Sequence, residues 1–444
     1  MPTPRAQWGS RAGFILAAAG TAVGLGNIWK FPYVAGQNGG GVFILAYVVC
    51  VLLIGIPLMC SEVIIGRAAK KSPVSAIRSL GGGFWTSFGW LGVIGSASVL
   101  SYYSVIAGWA LHYSVLSISG QLAAAGPEGV GQVFTDLVSS TGLNLFWHLA
   151  FMVLTVAVVL GGVSKGIDRW SRILMPALLA MLLGLVVRAA FLPGFSDGMD
   201  FAFGIRLEEF RPESLLAALG QAFFSLGVGF GGMLTYGSYL SKKDDIMSSS
   251  MQISALDSLV AILASIVIFP IIFTYSELEP TQGPGLLFAS IPTGLIQMPF
   301  AGLLLSVFFV LLVFAALTSS IGLLEVPTSF LMDEFGWDRR RAALISGIMI
   351  FVYGIPSALS GVGGAFSGWL AGLDWIVTNL MLPFAGIGLS LFVGWRLDAV
   401  IRRDQYVSGT RFGGLYTIWL VLVKYLAPVA IAIVFLHGIG LLQL

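Results

Sequence analysis

Apolar stretches of about twenty residues, the length that crosses a bilayer at roughly 1.5 Å per residue, recur along this chain. Two of them are broken by clustered glycines at matching places in its two halves: 20–27 (GTAVGLGN) and 225–232 (SLGVGFGG). Backbone N–H and C=O groups cannot go unpaired in hydrocarbon, so a membrane helix interrupted there must use the freed groups for something. Solute binding near the bilayer midplane is the usual purpose, which makes a transporter the first reading.

A hydrophobic share of 57%, a charged share of 10% and a mean hydropathy of +0.93 over 444 residues exclude a soluble globular protein. The expected fold is an all-α polytopic membrane protein with eleven transmembrane helices, at 12–36, 41–66, 85–119, 145–161, 172–192, 214–239, 250–275, 301–330, 342–358, 368–395 and 413–438. Basic residues collect between spans 2 and 3 (Arg67, Lys70, Lys71, Arg78), 4 and 5 (Lys165, Arg169, Arg172), 6 and 7 (Lys242, Lys243), 8 and 9 (Arg339, Arg340, Arg341), and 10 and 11 (Arg396, Arg402, Arg403, Arg411). The intervening connections 121–144 and 277–297 carry no Lys or Arg. By the positive-inside rule the N-terminus is cytoplasmic and, with an odd span count, the C-terminus extracytoplasmic, in the cell (inner) membrane. Arg188, Arg206 and Arg211 dissent from this pattern. The connection 275–299, broken by prolines and glycines, reads as an outer loop or lid.

A formal charge of +2, spread over loops, gives no sign of a nucleic-acid partner. Cys50 and Cys60 lie ten apart on one expected helix and cannot pair without destroying it. His112, His148 and His437 are scattered without metal-ligand spacing, and no Ser/His or paired-Asp arrangement suggests intramembrane protease chemistry, so an enzyme is not expected.

Unwinding each glycine cluster frees carbonyls that suit a hard monovalent cation and amides that suit an anion, so a cation and a carboxylate could share one site. Asn27 and Ser225 would add side-chain oxygens; interhelical hydrogen bonding is the alternative use for both. Thr318, Ser319 and Ser320 form an unusual hydroxyl run in an apolar helix, although such hydroxyls also bond to the preceding turn.

Several strings resemble the neurotransmitter:sodium symporter family, especially its bacterial amino-acid transporters: 20–32 (GTAVGLGNIWKFP), 38–41 (NGGG), 55–57 (GIP) with Glu62 and 66–67 (GR), 220–225 (GQAFFS) and 315–320 (AALTSS). The resemblance runs from Arg5 to the end of span 11 and implies a single transporter domain over 1–444. It would comprise two inverted five-helix repeats, 1–192 and 214–395, with helices 1 and 6 broken, followed by span 11 at 413–438. Many relatives have a twelfth span.

The resemblance implies two sodium sites. The first would use the Ala22 carbonyl, Asn27, Ser225, Asp257 and the substrate carboxylate; the second the carbonyls of Gly20, Val23 and Ala315 with the hydroxyls of Thr318 and Ser319. Asp257 departs from the family's commoner Asn. Tyr47, Gln221 and Ser225 resemble the chloride site of chloride-dependent members, but Ala261 stands where a serine would complete it. A fixed carboxylate at Asp257 would do the anion's electrostatic work, so no chloride requirement is expected; a proton-carrying aspartate is the alternative.

Gly24 occupies the position where monoamine carriers place an aspartate, leaving room for a substrate that brings its own carboxylate. By resemblance, an amino acid would meet Ala22, Leu25, Gly26, Tyr103, Phe224 and Ser225 with its polar end, and Val99, Tyr103, Phe224, Gly227, Phe230, Ser320 and Leu323 with its side chain. Without a counter-charge in that pocket, the expected substrate is a neutral, hydrophobic or aromatic L-amino acid, carried by sodium-coupled alternating access. Lys30 with Asp374 and Arg5 with Asp333 resemble the outer and inner gate pairs, with Trp8 and Tyr239 near the inner one. A proton-coupled carrier on the same scaffold, or a sensor that binds without transporting, are the alternatives.

Overall fold

The computed structural model describes residues 5–275 and 283–442; the part of the expected outer loop at 276–282 lies outside them. Helices account for nearly all of the regular structure, and the described residues contain one isolated antiparallel bridge, between Gly40 and Ile205. Among the described residues, nine helices are long and apolar enough to cross a membrane, and a bent pair makes ten. They coincide with the spans read from the sequence except the sixth, which consists of Pro212–Ser225 and Gly232–Gly237, each shorter than a bilayer crossing. By length alone the count among the described residues stops short of the eleven expected.

Both breaks lie at the glycine clusters. Span 1 runs as Arg11–Ala22 and Leu25–Gln37, bent by 66° through extended Val23 and Gly24. In span 6, Gly227, Gly229 and Gly231 have φ of 61°, 102° and 73°. Those values are open to glycine and strained for side chains, so this alternation terminates the helix for six residues.

Span 3 (Gly83–Ile118) and span 8 (Ala301–Phe335) pack along each other, and span 8 also lies against the first half of span 1. Span 7 (Ile246–Thr274) brings Asp257 to the second half of span 1. Cys50 and Cys60 are buried and unpaired, as their placement on one helix requires.

The connection between spans 5 and 6 explains one dissenting charge. Arg206 donates to the carbonyls of Gly36, at the end of span 1, and of Asp200 and Phe201, at the end of helix Phe195–Phe203, and pairs with Glu209 at 2.8 Å. A cation at two helix C-termini is locally consumed, so it does not vote on orientation. Where a broken loop was expected, Leu286–Ile296 is helical. Its Phe288 stacks on Phe134 of helix Gly126–Ser139 at 5.6 Å, giving the segment apolar burial that its prolines and glycines concealed.

Candidate functional site

At the first break, Asn27 joins three elements. Its side-chain oxygen accepts from the Gly24 amide (3.0 Å), and its Nδ2 donates to Ser225 Oγ (3.0 Å), the Asp257 carbonyl (3.2 Å) and Asp257 Oδ1 (2.7 Å). Ser225 Oγ donates to Asp257 Oδ2 at 2.6 Å, and the Tyr47 hydroxyl reaches the same oxygen at 3.3 Å. Asp257 is fully buried. Of the five groups expected around the first sodium, three are in direct contact: Asn27, Ser225 and Asp257 bond to one another, while Ala22 ends its helix beside the same cavity. The fifth is the substrate's carboxylate.

A second cluster lies where span 8 crosses the break. Ser319 Oγ stands 2.8 Å from the Val23 carbonyl and 3.2 Å from those of Gly20 and Ala315, while Thr318 Oγ1 is 3.0 Å from the Ala315 carbonyl. Three peptide carbonyls and two hydroxyls, all oxygen, form a donor set suited to a hard cation. These are the five groups expected for the second ion.

Between the clusters opens a cavity of about 580 Å³ lined by Ala22, Gly24, Leu25, Gly26, Val99, Tyr103, Phe224, Ser225, Gly227, Phe230 and Leu323. Ser320 stands outside this lining: it is buried and donates to the Ala316 carbonyl of its own helix. Tyr103 accepts from the Leu25 amide at 3.2 Å. An aspartate at Gly24 would push into Tyr103 and Ser319, since a Cβ there meets their oxygens at 3.0 and 3.1 Å.

The cavity continues to Lys30 and Asp374. These two form no ion pair; the Lys30 ammonium lies over the Phe224 ring at 4.5 Å. The opposite end is shut. Arg5 binds both Asp333 oxygens at 2.5 and 2.7 Å and Ser238 Oγ at 2.9 Å; Trp8 packs on Tyr236 and Tyr239 and donates to the Tyr236 carbonyl. The geometry is that of a chamber open toward Lys30 and sealed at Arg5.

Two buried carboxylates carry more of this arrangement than the sequence reading assigned them. Glu62, named only within a motif, receives the Gly229 amide at 2.5 Å and the Leu234 amide at 3.2 Å, and so holds the span 6 break. Glu325, not singled out, pairs with Arg339 at 2.5 Å and accepts from Tyr239 at 2.6 Å. Each is a lone acid in an apolar span, a signal that could have marked both. Glu62→Ala strands both amides inside the membrane and is expected to cost about 3 kcal/mol or more. The check is the melting temperature of the purified variant, which should fall by several degrees; an unchanged value would contradict this role.

A membrane protein with an apolar chamber flanked by oxygen clusters at a helix break is built to carry solute with ions. The model of the Sodium:neurotransmitter symporter family matches residues 5–128 and 130–443, and the chain belongs to that family. Its members are transporters, not enzymes. The chain is 38% identical over 445 residues to an uncharacterized sodium-dependent transporter of Bacillus subtilis, YhdH, with 98% of each chain covered. It is 30% identical to an uncharacterized sodium-dependent transporter of Haemophilus influenzae, again over 98% of each. The crystal structure of MhsT in complex with L-phenylalanine superposes with a TM-score of 0.89 at 40% identity, covering 98% of this chain and 100% of that one.

Proposed function

We propose that this chain is a chloride-independent, sodium-coupled symporter of neutral, hydrophobic or aromatic L-amino acids, working by alternating access between inverted repeats 1–192 and 214–395. The observation that carries the reading is the pair of oxygen clusters on either side of an apolar cavity, one of them holding the Asp257 carboxylate. Val99, Phe224, Phe230 and Leu323 offer a substrate side chain apolar surface, and the charged lining residues, Lys30 and Asp374, lie toward the outer end. The binding of L-phenylalanine by MhsT supports the same substrate class here.

Sodium would be held first by Ala22, Asn27, Ser225, Asp257 and the substrate carboxylate, and second by Gly20, Val23, Ala315, Thr318 and Ser319. Two positive charges entering down the membrane potential contribute about 2.3 kcal/mol each per 100 mV. Three donors, from Asn27, Ser225 and Tyr47, face Asp257, a setting that suits an anion beside a cation better than a proton carrier. Closure would bring Lys30 to Asp374 above Tyr103 and Phe230, and release Arg5 from Asp333 below.

Uptake into proteoliposomes of the full-length protein tests the reading. Labelled L-phenylalanine, L-tryptophan or L-leucine should accumulate on an imposed sodium gradient, with rates unchanged when gluconate replaces chloride. A rate that falls with chloride removal would overturn the role given to Asp257. Uptake driven equally by a proton gradient in potassium would favour the proton-coupled carrier, and binding without flux a sensor.

A further inference from the structure

The face between spans 10 and 11, away from the chamber, holds a lysine inside a membrane-length helix. Span 11 is Gly413–Gly438 and span 10 Gly364–Arg396; Lys424 lies within the former, and no carboxylate pairs with it among the described residues. Such a cation in a spanning segment calls for a specific partner.

Both helices change winding at this level. Phe392–Arg396 in span 10 and Leu422–Leu426 in span 11 are π-helical turns in contact with each other, and such turns recur at functional sites. The carbonyls of the second turn are taken up across the interface: Ser390 Oγ donates to Val423 at 2.5 Å and Trp395 Nε1 to Lys424 at 3.3 Å. Gly394 lets the lysine stem lie flat against span 10, since a Cβ there would stand 2.9 Å from Lys424 Cγ. The ammonium is thereby held 4.7 Å above the Trp395 ring, and Tyr425 meets that ring edge-on at 5.5 Å.

Beside this cluster runs an open groove of about 490 Å³ whose walls, apart from Lys424 and the aromatic pair, are Leu391, Pro428, Val429 and Ala432. Trp395, Tyr425 and Val429 are all more than half exposed on it. One cation at the end of an apolar trough, flanked by a Trp and a Tyr of the kind that sit at headgroup depth, complements a molecule with one anionic group and a long apolar tail.

We propose that this groove binds an anionic phospholipid, its phosphate on the Lys424 ammonium and an acyl chain along Pro428, Val429 and Ala432. The Tyr425 hydroxyl supplies a second donor to the phosphate. The assignment depends on the chain's being a membrane protein and is independent of the amino-acid reading.

Native mass spectrometry of the full-length protein, after exchange into detergent with dioleoylphosphatidylglycerol or dioleoylphosphatidylcholine, tests it. Wild type should retain one more phosphatidylglycerol per protomer than Lys424→Gln, with affinity for that lipid about tenfold weaker in the variant, and Lys424→Arg should keep it. Gly394→Ala, which displaces the lysine stem without removing its charge, should weaken retention as well. Equal retention of phosphatidylglycerol by wild type and Lys424→Gln would overturn the proposal. If Lys424→Gln does not fold, the wild-type comparison decides: equal retention of the zwitterionic lipid overturns it, and preference for the anionic one supports it. A dimer that Lys424→Gln dissociates would give the groove to a second copy and also overturn the lipid assignment.

Discussion

Asp257→Ala is expected to abolish sodium-dependent amino-acid binding at ordinary concentrations, weakening it by at least about 100-fold. The carboxylate is fully buried and bonds to Asn27 and Ser225, both expected sodium ligands, so its loss removes the charge opposite the ion and strands their donors. Breaking a buried charge pair costs about 3–5 kcal/mol, and each 1.4 kcal/mol is tenfold in affinity. Equilibrium binding of labelled L-phenylalanine in sodium measures it, and wild-type affinity in the variant would contradict the account. A stricter version exchanges one anion for another. Asp257→Asn combined with Ala261→Ser restores the neutral amide and the serine of the family's chloride-dependent pattern, beside Tyr47, Gln221 and Ser225. The Gln221 side-chain N and O are both buried without a hydrogen-bond partner, so the location has polar capacity to spare. Binding by the double variant should become chloride-dependent.

The second large effect is at the sealed end. Asp333 takes two bonds from Arg5 and a third from the Ser72 amide at 2.5 Å, so it ties the start of the chain to the loop after span 2 and to the end of span 8. Asp333→Asn weakens all three. With charge-assisted bonds at about 1.5–3 kcal/mol each, a net loss near 2 kcal/mol shifts a two-state equilibrium roughly thirtyfold toward the inward-open form. Thr235→Cys, at a position fully buried in the second half of span 6, reports it: its reaction with a thiol reagent should accelerate by about that factor in the Asp333→Asn background. An unchanged rate would mean that the pair does not hold the Arg5 end shut.

The spans were legible because hydrocarbon thickness fixes their length, and the broken helices because several glycines fall in one short window, beside Asn27 and Ser225, at matching places in the two halves. The glycine breaks and the hydroxyl run at 318–320 pointed to cation-binding oxygens, but the particular carbonyls of Gly20, Val23 and Ala315 were named only through the resemblance, because they belong to no residue-type signal and peptide oxygens are silent in composition. Glu62 illustrates what pattern cannot reach. Its partners are the Gly229 amide in the span 6 break and the Leu234 amide in the helix after it, 167 and 172 residues away, so a lone acid is visible while its purpose is not. The helix Leu286–Ile296 was missed for the opposite reason: glycine and proline around it outweighed an apolar run whose burial comes from Phe134, far along the chain. Span 6 reads as one segment by hydropathy and folds as two, because the positive-φ glycines interrupt hydrogen bonding without making the segment less apolar.

The most direct measurement is binding of labelled L-phenylalanine to the purified protein with sodium titrated against potassium at constant ionic strength. If the oxygens gathered at the span 1 break, with Ser225, Asp257 and the span 8 hydroxyls, hold sodium against the substrate's carboxylate, binding should be absent in potassium and rise with sodium. Equal affinity in the two salts would contradict the account.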